Sequence, residues 1–176
     1  MEILCPSRVL SSVLDIDLQA LWNQGIRGLI LDLDNTLVCW DKSVMEDRFR
    51  EWIKEAKRHG FKVCIVSNGL TKRVNQFALS MGIPAIAKAQ KPRKRAFRWG
   101  LRALELAPEN VAVIGDQLFT DVFGGNRLGL YTILIDPLSK QELRTTKFVR
   151  KIERWVLKKL VEKGLLCSQT LKDRYL

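Results

Sequence analysis

Two aspartates interrupt the apolar run LILDLDNTLVCWD, residues 29–41. Asp32 and Asp34 stand where a buried strand over 28–33 should end, and strand alternation sends both carboxylates to one side. Anions that close repel, so the pairing asks for a cation. Asp116 closes a second apolar run, NVAVIGD, and Ser67 and Asn68 close a third, KVCIVSN. Carboxylate oxygens without nitrogen or sulfur are the preference of hard Mg²⁺ rather than zinc. Mg²⁺ commonly joins carboxylates to a phosphate, and phosphate monoesters are among the slowest substrates to hydrolyse unaided. One acid or base, worth ~10²–10⁴-fold, is too little, so the reaction also needs a nucleophile, a metal and fixed positive charge. Asp32 suits the nucleophile, Lys91 the fixed charge and Ser67 a hydroxyl donor to a phosphoryl oxygen. Asp34 suits the group that protonates the leaving oxygen and then deprotonates water. A plainer reading makes each polar residue a turn or cap residue. It serves for one strand end, but not for three at once.

These residues need elements to bring them together. Strands are expected at 28–33, 62–68, 110–116 and 131–136, with a short one at 85–87. Asp17 should cap a helix running through Trp22. Further helices are expected at 46–58, with Phe49, Trp52, Ile53 and Ala56 on one face, at 71–81, and at 93–106. Strands alternating with helices predict an α/β fold, a doubly wound parallel sheet. Right-handed crossovers then set every strand's carboxyl end along one edge, where such folds bind ligands. Asp32, Asp34, Ser67, Asn68 and Asp116 should converge there.

Composition narrows the setting. At 176 residues and 47% hydrophobic, the chain suits one domain with a full core, expected over 1–166, with 167–176 as a disordered tail. No stretch reaches the ~20 apolar residues of a membrane-spanning helix, and the start, MEILCPSRVLSSVL, reads poorly as a signal peptide. Four cysteines without C-x-x-C spacing, Cys64 inside an apolar run, suit free thiols in a reducing cytoplasm. The single histidine, His59, fits a helix end better than a site. Neither a Walker loop nor a cysteine-phosphatase loop is present. Net charge is +11 and uneven: residues 88–102 hold seven basic residues and no acid. Such asymmetry points to a polyanionic partner, whether nucleic acid, an anionic membrane or a phosphorylated substrate.

Taken together, D-L-D-N-T at 32–36, the strand-end Ser67, K-P at 91–92 and G-D-x-x-x-x-D at 115–121 resemble the four motifs of the haloacid dehalogenase (HAD) superfamily, in order. The resemblance implies a HAD-like Rossmannoid fold and an aspartyl-phosphate intermediate on Asp32, with Asp34 as general acid/base and its carbonyl on Mg²⁺. It implies Asp116 as a metal ligand, Asp121 as a ligand or its support, and Thr36 as a brace for the loop. Ser67, Asn68 and Lys91 would bind phosphate. Asn35 stands where the family frequently has glycine. The gaps of 32 residues from Asp34 to Ser67 and 23 from Ser67 to Lys91 leave no room for a cap domain, so the site should be capless and open. IDLQALWNQGIRGLILDLDNTLVCWD, GDQLFTDVFGGNRLG and TTKFVRKIERWVLK look like the YqeG-type phosphatases of HAD subfamily IIIA, bacterial relatives of mitochondrial phosphatidylglycerophosphatase.

That resemblance implies a phospholipid substrate, phosphatidylglycerophosphate, met on the inner face of the cytoplasmic membrane. A basic C-terminal helix at about 145–163 supports it, with Phe148, Val149, Ile152, Trp155, Val156 and Leu160 as one stripe and Lys147, Arg150, Lys151, Arg154 and Lys158 opposite. A helix docking that stripe on the domain would show the same pattern. The competing functions are a capless phosphatase of a nucleic-acid end or soluble metabolite, and a non-catalytic protein that binds RNA or a partner.

Overall fold

Leu29, Ile30 and Leu31 are all buried because helices cover both faces of the sheet to which they belong. The computed structural model describes residues 1–139 and 144–166. Its six strands are β1 (Arg8–Leu10), β2 (Gly28–Leu31), β3 (Lys62–Val66), β4 (Ala85–Ile86), β5 (Val111–Gly115) and β6 (Tyr131–Ile135). They pair in parallel in the order β1-β6-β5-β2-β3-β4. The chain runs outward from β2 in one direction through β3 and β4, then returns to β5 on the other side. The boundary between β2 and β5 is therefore the switch point where such a sheet opens a crevice. The expected α/β doubly wound sheet is present.

Helices α1 (Leu18–Asn23), α2 (Asp47–Arg58) and α3 (Thr71–Met81) cover one face, packing on Leu29, Leu31, Ile65 and Ile114. Helix α4 (Lys94–Leu104) covers the other, with Phe97 and Leu101 against Ile30, Val66 and Val113. Full burial of an aromatic such as Phe97 contributes roughly 1.5–3 kcal/mol. Gly100 lets α4 lie this close, since a Cβ there would meet Ile30 Cδ1 at 2.9 Å. Asp17 caps α1 as expected, its Oδ1 accepting from the Ala20 N–H at 2.8 Å. Cys64 is a buried free thiol, and burial pushes its pKa up to about 12. The β2–β3 link holds a loop and α2, and the β3–β4 link holds α3, so neither carries a cap.

Three features differ from the pattern read off the sequence. β1 was not expected: three residues are too few to show a period, and it is recognised only by pairing with β6 at the edge. After β5 the chain makes a wide π-helical turn, Leu118–Val122, that runs into the short helix α5 (Phe123–Asn126). Two glycines in FGGN hide that helix from propensity. Finally, α6 (Arg144–Glu162) does not present one stripe. Val156, Leu157 and Leu160 pack on Val9, Leu118, Val122 and Leu134, whereas Val149, Ile152 and Trp155 are 38%, 40% and 60% exposed. The six apolar positions were too many for one contact line, so the helix both docks and displays. Arg150, expected on the exposed basic side, turns inward instead. The Lys147 and Phe148 side chains and the tail 167–176 lie outside the described residues.

Candidate active site

Asp32 follows β2 directly, and its N–H donates to the Ile114 carbonyl at 2.9 Å. That bond extends the β2–β5 pairing and holds the Asp32 main chain at the switch point. The next turn is tight. The N–H groups of Leu37 and Val38 donate to the Leu33 carbonyl, and the Asn35 N–H donates to Val38 at 2.7 Å. Asn35 takes the left-handed conformation, φ 62°, which asparagine tolerates better than most residues. The departure from glycine is thus accommodated by the turn. Thr36 is fully buried there with no partner for its hydroxyl among the described residues.

Lys91 arrives from the far side of the crevice, out of the loop after β4. Its ammonium is buried and donates to Asp32 Oδ1 at 2.7 Å and to Asp121 Oδ1 at 2.6 Å. Burial alone would lower its pKa, but the Asp121 and Asp32 carboxylates outweigh that and hold it above the usual lysine range. Asn68 braces the Lys91 main chain from both ends of its amide: Oδ1 accepts from the Lys91 N–H at 2.7 Å, and Nδ2 donates to the Lys91 carbonyl at 3.3 Å. Ser67 is buried beside it, its Oγ accepting from the Gly69 N–H at 3.0 Å.

Asp121 sits in the π-helical turn, and its Oδ2 accepts from the Gln117 N–H at 3.2 Å. It can lie against the end of β5 only because residue 115 is glycine, where a Cβ would fall 2.3 Å from the Asp121 carboxylate. Asp116 is buried, paired through Oδ2 and its carbonyl with the Arg150 guanidinium. Its Oδ1 is buried without a partner among the described residues. Ligand oxygens of Asp32, Asp116 and Asp121 lie within 4.8 Å of one another. Burial first, and the neighbouring carboxylates next, push the Asp116 and Asp121 pKa values up, against Arg150 and Lys91 respectively. Three buried carboxylates with one orphaned oxygen suit a hard divalent cation. The Asp34 carboxylate lies outside that trio. Burial raises its pKa, while Arg73 opposes the rise through a 2.9 Å pair. Asp34, Trp40, Ser67, Lys91 and Thr120 are among the residues around a cleft of about 260 Å³ above the cluster.

The sequence-expected residues thus meet at one sheet edge, and the structure adds three more. Arg73, from the first turn of α3, also donates to the carbonyls of Cys39 and Lys42, tying Asp34 to the loop beyond it. Nothing in its position among polar residues flags it. Arg150 and Glu153 come from α6, and Glu153 is 3% exposed. An acid between Arg150 and Arg154 in a basic helix was the available signal for Glu153.

Residues 2–139 match the family described as Mitochondrial PGP phosphatase. The chain belongs to that family. It is 45% identical over 159 residues to "Probable phosphatase YqeG" of Bacillus subtilis, covering 90% of this chain and 92% of that one. It is 29% identical over 160 residues to the chloroplastic/mitochondrial phosphatidylglycerophosphate phosphatase 1 of Arabidopsis thaliana, covering 85% of this chain but 46% of that longer protein. The HAD hydrolase YfnB of Bacillus subtilis, solved bound to magnesium, superposes with a TM-score of 0.51 at 15% identity, over 68% of this chain and 91% of that chain. That likeness shows the shared fold. Over nearly its whole length the chain is thus similar to a YqeG-type phosphatase.

The contact between Gly115 and Asp121 gives a direct test. Gly115→Ala should displace Asp121 from Lys91 and reduce phosphatase turnover at least tenfold, while far-UV circular dichroism retains the α/β signature. Near-normal turnover would show that the Asp121–Lys91 pair is dispensable.

Proposed function

We propose that the protein is a Mg²⁺-dependent phosphatase that removes the terminal phosphate of phosphatidylglycerophosphate through an aspartyl-phosphate on Asp32. One observation carries the chemistry: the buried Lys91 ammonium joins Asp32 to Asp121 beside the orphaned Asp116 oxygen, at the floor of an open cleft. Lys91 fixes the Asp32 carboxylate and neutralises charge where a phosphate would sit. An Asp32 oxygen attacks phosphorus, the bond to the leaving oxygen breaks, and Asp34 delivers its proton to that oxygen. Burial raises its pKa in the direction this step needs, while the Arg73 pair opposes the rise. Asp34 then takes a proton from water, whose oxygen attacks phosphorus; Asp32 is released as carboxylate with inorganic phosphate. Ser67 and Asn68 line the phosphate side of the cleft. Mg²⁺, held by Asp32, Asp116 and the Asp34 carbonyl, would neutralise the phosphate oxygens. Asp121, both of whose oxygens are engaged, suits support of Lys91 more than ligation.

The lipid assignment rests on the family and on the outer side of α6. Val149, Ile152 and Trp155 are exposed there, as are Lys151, Arg154 and Lys158, on the helix whose inner side carries Arg150 to Asp116. Apolar residues among cations suit the interface of an anionic membrane, where each cation contributes about 1 kcal/mol. No described helix is long and apolar enough to cross a membrane; in this reading attachment is peripheral, on the inner face of the cytoplasmic membrane. Residues 88–102, basic throughout, would equally attract a nucleic-acid phosphate.

Phosphate release should therefore be fastest with phosphatidylglycerophosphate in mixed micelles, compared with sugar phosphates, nucleotides and end-phosphorylated oligonucleotides. A faster soluble ester or oligonucleotide would overturn the lipid assignment. Asp32→Asn should abolish turnover of every substrate, since an amide is a very poor nucleophile; wild-type rates in that variant would exclude the covalent route.

Binding to anionic vesicles should fall with salt and with Arg154→Glu plus Lys158→Glu, and lipid turnover should fall far more than turnover of a soluble ester. Equal loss on both substrates would remove this face as the anchor.

A further inference from the structure

Asp116 is held in place by a helix distant in sequence. Arg150 donates from one guanidinium nitrogen to the Asp116 carbonyl and from another to Asp116 Oδ2. The first of these nitrogens also donates to Glu153 Oε2 at 3.3 Å. The other Glu153 oxygen, Oε1, accepts from the Phe119 N–H at 3.2 Å. Phe119 belongs to the π-helical turn Leu118–Val122 that carries Asp121. Two side chains one helical turn apart therefore grip both acid-bearing segments after β5: Arg150 holds Asp116 itself, and Glu153 holds the start of the turn that presents Asp121.

The grip is buried. Side-chain exposure is 12% for Arg150, 4% for Glu153 and 0% for Asp116. Helix α6 cannot drift from the loop, because Val156, Leu157 and Leu160 pack on Leu118 and Val122 of the same turn. A planar guanidinium fixes orientation as well as charge, which an ammonium would not. It occupies Oδ2 and leaves Oδ1 buried without a partner among the described residues. That division is what a ligand needs: one oxygen pinned, the other available. Removing Arg150 would leave a buried carboxylate free to rotate and uncompensated beside Asp32 and Asp121.

We infer that Arg150 and Glu153 are positioning residues for the metal site, so that α6 completes the active site rather than merely packing on it. The inference rests on the metal-dependent reading above, but not on the identity of the substrate. The opposite geometry-based reading makes Arg150 a stand-in that occupies the carboxylate until Mg²⁺ displaces it. The two readings predict opposite changes in Mg²⁺ affinity.

Isothermal titration of the full chain with Mg²⁺ alone separates them. Arg150→Ala should bind Mg²⁺ on the order of tenfold more weakly, as loss of a partner that orients a ligand commonly does. Its activity on a small soluble phosphate ester should require correspondingly more Mg²⁺ and recover at saturation with KM unchanged. Equal or tighter Mg²⁺ binding by the folded variant would overturn the inference. Glu153→Gln, which keeps the shape, provides the decision where Arg150→Ala does not fold: it should weaken Mg²⁺ binding several-fold, and unchanged affinity would overturn the inference. A wild-type chain that binds no Mg²⁺ would overturn the metal reading and this inference with it. A wild-type chain that binds Mg²⁺ but ignores the lipid would overturn only the substrate assignment.

Discussion

The site depends on one buried ammonium. Lys91 is almost without solvent and compensates two carboxylates that arrive from opposite sides of the switch point, Asp32 after β2 and Asp121 after β5. Without it the acids would repel in a medium that screens poorly, and the crevice floor would not close. Its position is therefore over-determined. Asn68 grips its main chain on both sides, and the preceding Lys88 and Gln90 take left-handed conformations, φ 47° and 59°, that bring the chain back toward the sheet edge. Strain of that kind in non-glycine residues persists only where the surroundings impose it. Here the surroundings are the β3 end, at Ser67 and Asn68, and the carboxylates themselves.

Charge explains why the remaining elements lie where they do. Lys91 and Arg150 do not neutralise Asp32, Asp116, Asp121 and the nearby Glu153, and burial holds both Asp116 and Asp121 above the ordinary carboxylate range. Such a cluster is costly in isolation and becomes favourable once a divalent ion shares its oxygens. Arg73 performs a separate task. It balances Asp34 from outside the cluster, leaving that carboxylate at the cleft rather than drawn into the acidic floor.

Much of this was legible in the sequence because strand ends are legible. Apolar runs that stop abruptly at Asp32, Ser67 and Asp116 mark both the strands and the edge where their polar ends meet. What stayed hidden had no local period. β1 has three residues, and the turn at Leu118–Val122 lies in a glycine-containing stretch with no helical stripe. Arg73, Arg150 and Glu153 act through partners 39, 34 and 34 residues away, a relation that composition and spacing along one helix do not encode. The helical wheel of α6 showed a two-sided helix but joined Val149, Ile152 and Trp155 to the docking residues in one stripe and set Arg150 opposite it. Arg150 followed the buried side because Asp116 was there to receive it.

An open cleft sets a further constraint on the chemistry. In the proposed reading, transfer through an aspartyl-phosphate needs water kept from the first step and admitted to the second. A cap domain would do both by closing and opening, and neither connection in this fold has the length to form one. Exclusion must then come from what the substrate carries with it. A phosphate presented by a membrane arrives with a surface attached. In the lipid reading, α6 sets its exposed Trp155 side on that surface while its inner side holds Asp116, so one helix would define both the depth of the head group and the geometry of the acids beneath it. The half-exposed Trp40 at the cleft would be a second point of contact of the same kind. A soluble ester would enter the same cleft without that cover and meet the same acids in a wetter site, where their electrostatic effect is weaker. Preference for an interfacial substrate would then arise from solvent exclusion as much as from recognition of the head group.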